Sequence, residues 1–291
     1  MMPSENETRR PYWLKVDLTG MGAFYTVKQL VNGQNLHTVC QSARCPNIGE
    51  CWARKTATFM ILGDRCSRNC TFCAISHAAP EAVDADEPRR VGEAVKSLAL
   101  RYAVITSVTR DDLPDGGAVH FAQTIAAIRS SSPGCRVEVL IPDFAGSPQA
   151  LLTLLEAAPD VLNHNLETVE ELYPRVRPQA DYHRSLKLLE NARRYGAITK
   201  SGLMLGVGES REQLLKTLTD LRSIDCQIVT LGQYLPPSRH HLPVVRFVEP
   251  GEFDELRRIG LAMGFPHIES GPLVRSSYHA EQAADSANRG Q

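Results

Sequence analysis

From about Thr58 to Met263, short apolar runs alternate with amphipathic stretches. The runs at 58–62, 102–107, 137–141, 161–166, 201–207 and 227–234 are mostly continuous rather than alternating with polar positions. That pattern predicts strands covered on both faces. Between them, apolar positions recur at helical spacing over 91–99, 119–128, 148–157, 185–194, 211–224 and 250–263. Ser147-Pro148 and Glu249-Pro250-Gly251 put proline in the first turn of two of these helices, where a missing N–H costs nothing. Strands alternating with helices imply a parallel sheet with right-handed crossovers. Periodicity alone leaves a partial barrel and an open doubly wound sheet as alternatives. Residues 1–55 read as irregular, broken by Pro46 and Gly49. Beyond His267 the pattern is lost, and 281–291 reads as a polar, mobile stretch.

The 291 residues, 43% of them hydrophobic, suffice for one substantial core. A net charge of −1 argues against a nucleic-acid binder working through a broad basic face. The polar opening, residues 1–15, lacks the apolar stretch of a signal peptide, and no apolar run is long enough to span a bilayer. The expectation is a cytoplasmic protein without a membrane partner.

The cysteines change the picture. Six of the eight lie between Cys40 and Cys73. With no secretion signal and a core of its own, the chain has no need of disulfides, and clustered cysteines point to metal or redox chemistry. Cys66-Ser-Arg-Asn-Cys70-Thr-Phe-Cys73 has the spacing C-x3-C-x2-C and follows the first predicted strand, where α/β folds place their chemistry. Three thiolates can ligate three irons of a [4Fe–4S] cube and leave the fourth open to a substrate or cofactor. The alternative is a zinc site completed by His77, although the short paired loops of zinc ribbons are absent. Upstream, Cys40, Cys45 and Cys51 are spaced C-x4-C-x5-C, again one ligand short. Core packing gives thiols no reason to bunch in an irregular segment, so a second cluster accounts for them better.

The second triad, with Phe72 ahead of its last cysteine and a strand–loop–helix context, resembles the radical S-adenosylmethionine (SAM) superfamily. In that superfamily the open iron holds SAM, which is cleaved to a 5′-deoxyadenosyl radical. The ordered set of C-x4-C-x5-C, C-x3-C-x2-C and Arg275-Ser276-Ser277-Tyr278 resembles the lipoyl synthase family. The stretches Glu50-Cys-Trp, Ala57-Thr-Phe-Met, Thr106-Ser-Val-Thr-Arg-Asp-Asp-Leu-Pro-Asp-Gly-Gly and Asn163-His-Asn-Leu-Glu-Thr-Val add to the likeness, which runs from about Val39 to Ala280.

The resemblance implies a partial (β/α)6 TIM-like barrel over 57–266, an N-terminal extension over 1–56 carrying the first triad, and a C-terminal extension over 267–291. It implies two [4Fe–4S] clusters and SAM as cofactors. Cys66, Cys70 and Cys73 would hold the radical-generating cluster; Cys40, Cys45, Cys51 and Ser277 would hold an auxiliary cluster, with Ser276 the other serine to consider. Ser277 and Arg275 are its catalytic candidates. The implied reaction inserts two sulfurs from the auxiliary cluster at C6 and C8 of an octanoyl chain, using two SAM molecules. The implied substrate is a lipoyl carrier domain of the glycine-cleavage H protein or 2-oxoacid dehydrogenase E2 type. A flavodoxin or ferredoxin would supply electrons, and an iron–sulfur carrier would rebuild the cluster. The rivals are a biotin-synthase-like sulfur inserter and a non-catalytic iron–sulfur scaffold.

For SAM contacts the candidates are the backbone about Phe72, the strand-end residues Ser107, Arg110 and Asp111, and Asn165 with Glu167. Arg177 is the candidate partner of the methionyl carboxylate. Gly206-Val-Gly-Glu209 allows close backbone approach, or leaves Glu209 as a helix cap. Tyr234-Leu-Pro-Pro-Ser238 is read as a tunnel wall or a rigid loop. Cys135 and Cys226 read as core thiols, and His164 and His183 as packing or hydrogen-bonding residues.

Overall fold

The computed structural model describes residues 10–15, 21–42 and 45–289. Most of the polar opening, residues 43–44 inside the first triad, and residues 290–291 of the tail lie outside the described residues. The strands are β1 His37–Thr38, β2 Thr56–Ile61, β3 Tyr102–Ser107, β4 Arg136–Leu140, β5 Val161–Asn163, β6 Thr199–Leu205, β7 Ile228–Gln233 and β8 His267–Gly271. They form one sheet in sequential order, with β1 antiparallel to β2 and every later pair parallel. A doubly wound sheet reverses its order at a switch point. This one never does, so its crossover helices share one face and the sheet curls into a barrel sector.

The helices are α1 Met21–Gly33, α2 Val39–Ser42, α3 Ile48–Ala53, α4 Glu87–Ser97, α5 Ala118–Ser131, α6 Pro148–Glu156, α7 Tyr173–Val176, α8 Tyr182–Arg194, α9 Arg211–Ser223, α10 Pro250–Ala262 and α11 Ala280–Arg289. Six β/α units run from β2–α4 to β7–α10, as the pattern implies, and β8 is added after them. Ser147 caps α6, its hydroxyl accepting from the Ala150 N–H, and Pro148 stands at the helix start. Ser210 and Gln213 form a reciprocal capping box on α9.

The pleat sorts each strand. Phe59, Ile105, Val139, Leu162, Leu203, Val229 and Leu231 belong to the main core beneath the helices. Their alternates face the lumen. There Lys200 of β6 reaches Glu138 of β4 across β5, Nζ lying 2.8 Å from Oε1, with both side chains fully buried. Tyr102 Oη and Asn163 Nδ2 donate to the same carboxylate at 3.0 and 3.2 Å. Side chains from four consecutive strands converge only on a concave face.

Three expectations are corrected. The loss of pattern after His267 conceals a strand, β8, which pairs with β7 from His267 to Gly271. Residues 281–289 are not a mobile stretch but most of α11. Its Ala280, Ala283, Ala284 and Ala287 pack against Tyr102, Val104, Val161, Ile198 and Ile228 at the starting ends of the strands. An alanine stripe at i, i+3, i+4 and i+7 is apolar in position but weak in hydrophobicity, so it reads as polar chain. The described part of residues 1–55 is not irregular, since it contains α1, α2 and α3; the last two, at 4 and 6 residues, are too short for a periodicity to register. Among the described residues no helix is long and apolar enough to cross a membrane.

Candidate active site

The strand β2 joins two cysteine sets. Beyond its C-terminal end the chain turns through Leu62 and Gly63, both at positive φ, into the loop carrying Cys66, Cys70 and Cys73. The loop is tied down at several points. Cys66 N–H donates to the Ser76 carbonyl at 2.9 Å, and Thr71 N–H to the Val176 carbonyl at 3.1 Å. Arg68, 6% exposed, forks onto Asp111 at 2.7 and 2.8 Å and reaches the fully buried Asp143 at 2.6 Å. This ion-pair set fastens the cysteine loop to the segments after β3 and β4. The Cys66 sulfur accepts from the Thr109 N–H at 3.3 Å, and the Cys73 carbonyl lies 3.0 Å from His241 Nε2. Phe72 packs against the cluster of Val176, Val207, Tyr234 and Leu242. His77 is exposed.

The SAM candidates gather beside this loop, and two of them are already engaged. Ser107 ends β3, while Asn165 and Glu167 follow β5. Asn165 Nδ2 donates to Glu167 Oε1 at 3.0 Å. Glu167 has φ +66°, a left-handed backbone that side chains occupy under tertiary constraint and often at functional sites. Arg177 Nη1 donates to the Asn165 and Leu166 carbonyls at 2.8 and 3.2 Å. Burial pushes the Cys70 thiol up, and the Arg177 charge opposes it. Burial likewise raises Glu167, against the pull of Arg177 and Asn165. Asp111 is one of the two, since both its oxygens bind Arg68. Arg110 is spent on Asp112. Glu209 accepts the N–H groups of Gly206, Val207 and Gly208 at 2.7, 3.0 and 3.1 Å, so it braces the turn after β6.

Three of the remaining SAM candidates carry buried polar atoms without a hydrogen bond: Ser107 Oγ, Asn165 Oδ1 and Arg177 Nε. A buried polar group left unpaired is costly, and three together, beside a cysteine loop, fit a polar cofactor that supplies the partners.

The first triad lies at the other end of β2. Cys40 is on α2, Cys51 on α3 and Cys45 between them, its N–H donating to the Cys40 carbonyl at 3.0 Å. These three thiols line one cavity with Thr56, Thr58, Arg275, Ser277 and Tyr278. All are free of disulfides. Burial and mutual repulsion push Cys40 up to about 11 and Cys51 to about 12, and burial raises Cys45 too, against the Asn47 N–H and the Arg275 charge. Such thiols stay protonated until a metal displaces the proton. No three His, Cys, Asp or Glu side chains converge on a single metal-ion position among the described residues. An iron–sulfur cube asks instead for one ligand at each iron, which three thiols and a serine provide.

The two serines of the C-terminal motif part ways. Ser277 Oγ faces the cysteine cavity and accepts from Thr58 Oγ1 at 2.9 Å. Ser276 Oγ accepts from Asn165 Nδ2 at 2.6 Å. The segment is pinned on either side, by Asn47 Nδ2 on the Leu273 carbonyl at 2.7 Å and by Tyr278 Oη on Glu50 at 3.0 Å. Gly232 admits the Val274 carbonyl where a Cβ would collide. Sequence reasoning assigned no role to Thr58, Asn47, Arg68 or Asp143. Thr58 and Glu50 lie in stretches that carry the family likeness, which was the available signal. Cys135 and Cys226 are buried core thiols, and His164 is buried between the Ile141 carbonyl and Ser185, as expected. His183 is exposed and pairs with Glu170 at 2.9 Å.

The Radical SAM superfamily model matches residues 60–221. Lipoyl synthase of Rubrobacter xylanophilus is 54% identical over 283 residues, 97% of this chain and 88% of that one. Lipoyl synthase of Caldanaerobacter subterraneus subsp. tengcongensis is 54% identical over 280 residues, 94% and 96% of the two chains. Of solved structures, methylornithine synthase aligns with a TM-score of 0.55 at 15% identity, covering 86% of this chain and 85% of its own. Coproporphyrinogen III oxidase of Escherichia coli aligns at 0.53 and 14% identity, over 78% and 58%. At these identities the structural likeness is one of fold. The sequence identity carries further: the chain belongs to the lipoyl synthase family of the radical SAM superfamily.

Proposed function

We propose that this chain inserts sulfur at C6 and C8 of an octanoyl group amide-linked to a lysine of a lipoyl carrier domain. The observation that carries the reading is Ser277, which shares one cavity with Cys40, Cys45 and Cys51 although it lies 219 residues beyond Thr58, its hydrogen-bond partner. When bound, SAM on the cluster of Cys66, Cys70 and Cys73 supplies the hydrogen-abstracting radical, and the second cluster supplies the sulfur.

The chain's own residues then have distinct tasks. Arg68 holds the radical-cluster loop rigid through Asp111 and Asp143, so Asp111 serves the loop rather than SAM. Ser107, Asn165 and Arg177 orient SAM through the polar atoms they leave unpaired, Arg177 on the methionyl carboxylate, and the Glu167 carboxylate takes the ribose. Phe72 keeps its side chain in the apolar patch and leaves its backbone for the adenosyl group. Cys40, Cys45, Cys51 and Ser277 ligate the auxiliary cluster, and Arg275 offsets the charge beside Cys45. A hard serine oxygen is a weak match for a soft cluster, which suits a ligand that must let go as the cluster is consumed. By role the chain divides into residues 1–56, 57–266 and 267–291.

The reading places the enzyme in the cytoplasm. It also calls for a flavodoxin or ferredoxin as reductant and an iron–sulfur carrier to rebuild the auxiliary cluster. The direct test is mass spectrometry of an octanoyl-lysine peptide after incubation with reconstituted enzyme, SAM and dithionite. The expected result is a gain of two sulfurs. Release of 5′-deoxyadenosine with no sulfur gained would overturn it.

A further inference from the structure

We propose that Thr58 is the positioning residue of the auxiliary-cluster site, holding Ser277 where it can serve as the fourth ligand; this rests on the serine-ligand reading above. Ser277 sits in a turn between β8 and α11, and no regular element fixes its hydroxyl. Thr58, by contrast, lies within β2, opposite Val104 of β3 in a strand that β1 flanks at Phe59 and Met60, and is 4% exposed. A side chain on a strand is placed more sharply than one on a loop. Its hydroxyl donates to Ser277 Oγ at 2.9 Å, and Thr58 lines the same cavity as Cys40. Two of the four ligands, from opposite ends of the chain, therefore meet at one threonine. The donated hydrogen bond is retained, and strengthened, when the serine oxygen carries charge toward iron. Outer-shell partners of this kind contribute ten- to a hundred-fold to metal affinity. The weaker the ligand, the more its geometry decides whether it binds.

Ser276 sharpens the assignment. Asn165 Nδ2 donates to its hydroxyl at 2.6 Å and to Glu167 Oε1 at 3.0 Å, so Thr58 and Asn165 hold neighbouring serines separately. Only the one held by Thr58 lines the cysteine cavity.

The test is iron release to a ferrous chelator, measured in a chain whose Cys66, Cys70 and Cys73 are alanine so that the iron read is auxiliary iron. Thr58→Val keeps shape and removes the donor; it is expected to release iron about ten-fold faster than its parent, with Thr58→Ser within about two-fold. Thr58→Val added to Ser277→Ala is expected to change nothing further, because the two act through one contact. In the otherwise intact chain, Thr58→Val is expected to keep releasing 5′-deoxyadenosine while forming less dithiolane. If Ser277→Ala speeds iron release and Thr58→Val does not, the proposal fails and serine ligation stands. If the two substitutions multiply, or if Thr58→Val also loses SAM cleavage, Thr58 is a structural residue and the proposal fails. If Ser277→Ala itself releases iron at the parent rate, the serine reading falls and takes this inference with it.

Discussion

Replacing Lys200 by Met tests the buried polar floor of the barrel. Lys200 and Glu138 are fully buried, and the ammonium lies 2.8 and 3.2 Å from the two carboxylate oxygens. At 2.8 Å and an effective dielectric of about 20, Coulomb's law gives an attraction of about 6 kcal/mol, against which the desolvation of both ions must be set. Removing one partner leaves that desolvation unanswered, at a cost of about 3–5 kcal/mol. Met fills most of the lysine stem, so the cavity contribution is small. Tyr102 and Asn163 still donate to the carboxylate, which places the expected loss near the lower end, about 3 kcal/mol. In a domain of this size that lowers Tm by roughly 6–12 °C. Lys200→Met/Glu138→Gln removes the stranded charge and is expected to recover about 2 kcal/mol. The assay is urea unfolding of the metal-free chain followed by far-UV circular dichroism. A single variant within about 1 kcal/mol of the parent, or a double variant less stable than the single, would refute the reasoning.

Burial and the nearby Arg177 charge hold the His164 imidazole down at about 4 in the folded chain, against an ordinary 6.5. A group depressed on folding contributes stability that is complete above pH 6.5 and lost as pH falls toward 4. Equilibrium unfolding across that window is therefore expected to show His164→Gln losing less stability than the parent, by up to about 3 kcal/mol; parallel curves would remove His164 from the account. Arg68→Lys cannot bridge Asp111 and Asp143 together, so iron on Cys66, Cys70 and Cys73 should become roughly 10-fold more extractable while auxiliary iron is unchanged. Equal loss from both sets would mean that Arg68 supports the whole barrel instead. Cys70→Ala is expected to abolish 5′-deoxyadenosine release, and Cys45→Ala to retain some of it while forming no dithiolane. Product from Cys45→Ala would dismiss the sulfur-donor role.

The barrel was legible because its signals are local. Continuous apolar runs and proline-marked helix starts located β2 to β7 and their crossover helices within a few residues. Cysteine spacing marked both triads for the same reason. What escaped depends on contacts between distant segments. α11 owes its place to four alanines that suit the narrow strand starts. Lys200 stands one residue before the predicted start of its strand and finds its partner two strands away. Asp111 has the type and position of a cofactor contact, and only the fold reveals that Arg68 claims both its oxygens. Ser277 was chosen over Ser276 on the family likeness alone, and the two part in space because Thr58 of β2 and Asn165 after β5 hold them separately.

The span between Cys40 and Ser277 carries a consequence for the making of the protein. On the ribosome, Cys66, Cys70 and Cys73 emerge close together, and the segments that fasten their loop, at Asp111, Asp143, Val176 and His241, all follow before residue 277. On the ligand set proposed above, the auxiliary site stays incomplete until translation has passed Ser277, by which time the strands that enclose it have already been made. Radical generation and sulfur donation therefore mature in a set order, and a nascent chain that stalls short of residue 277 is able to acquire the first capacity without the second.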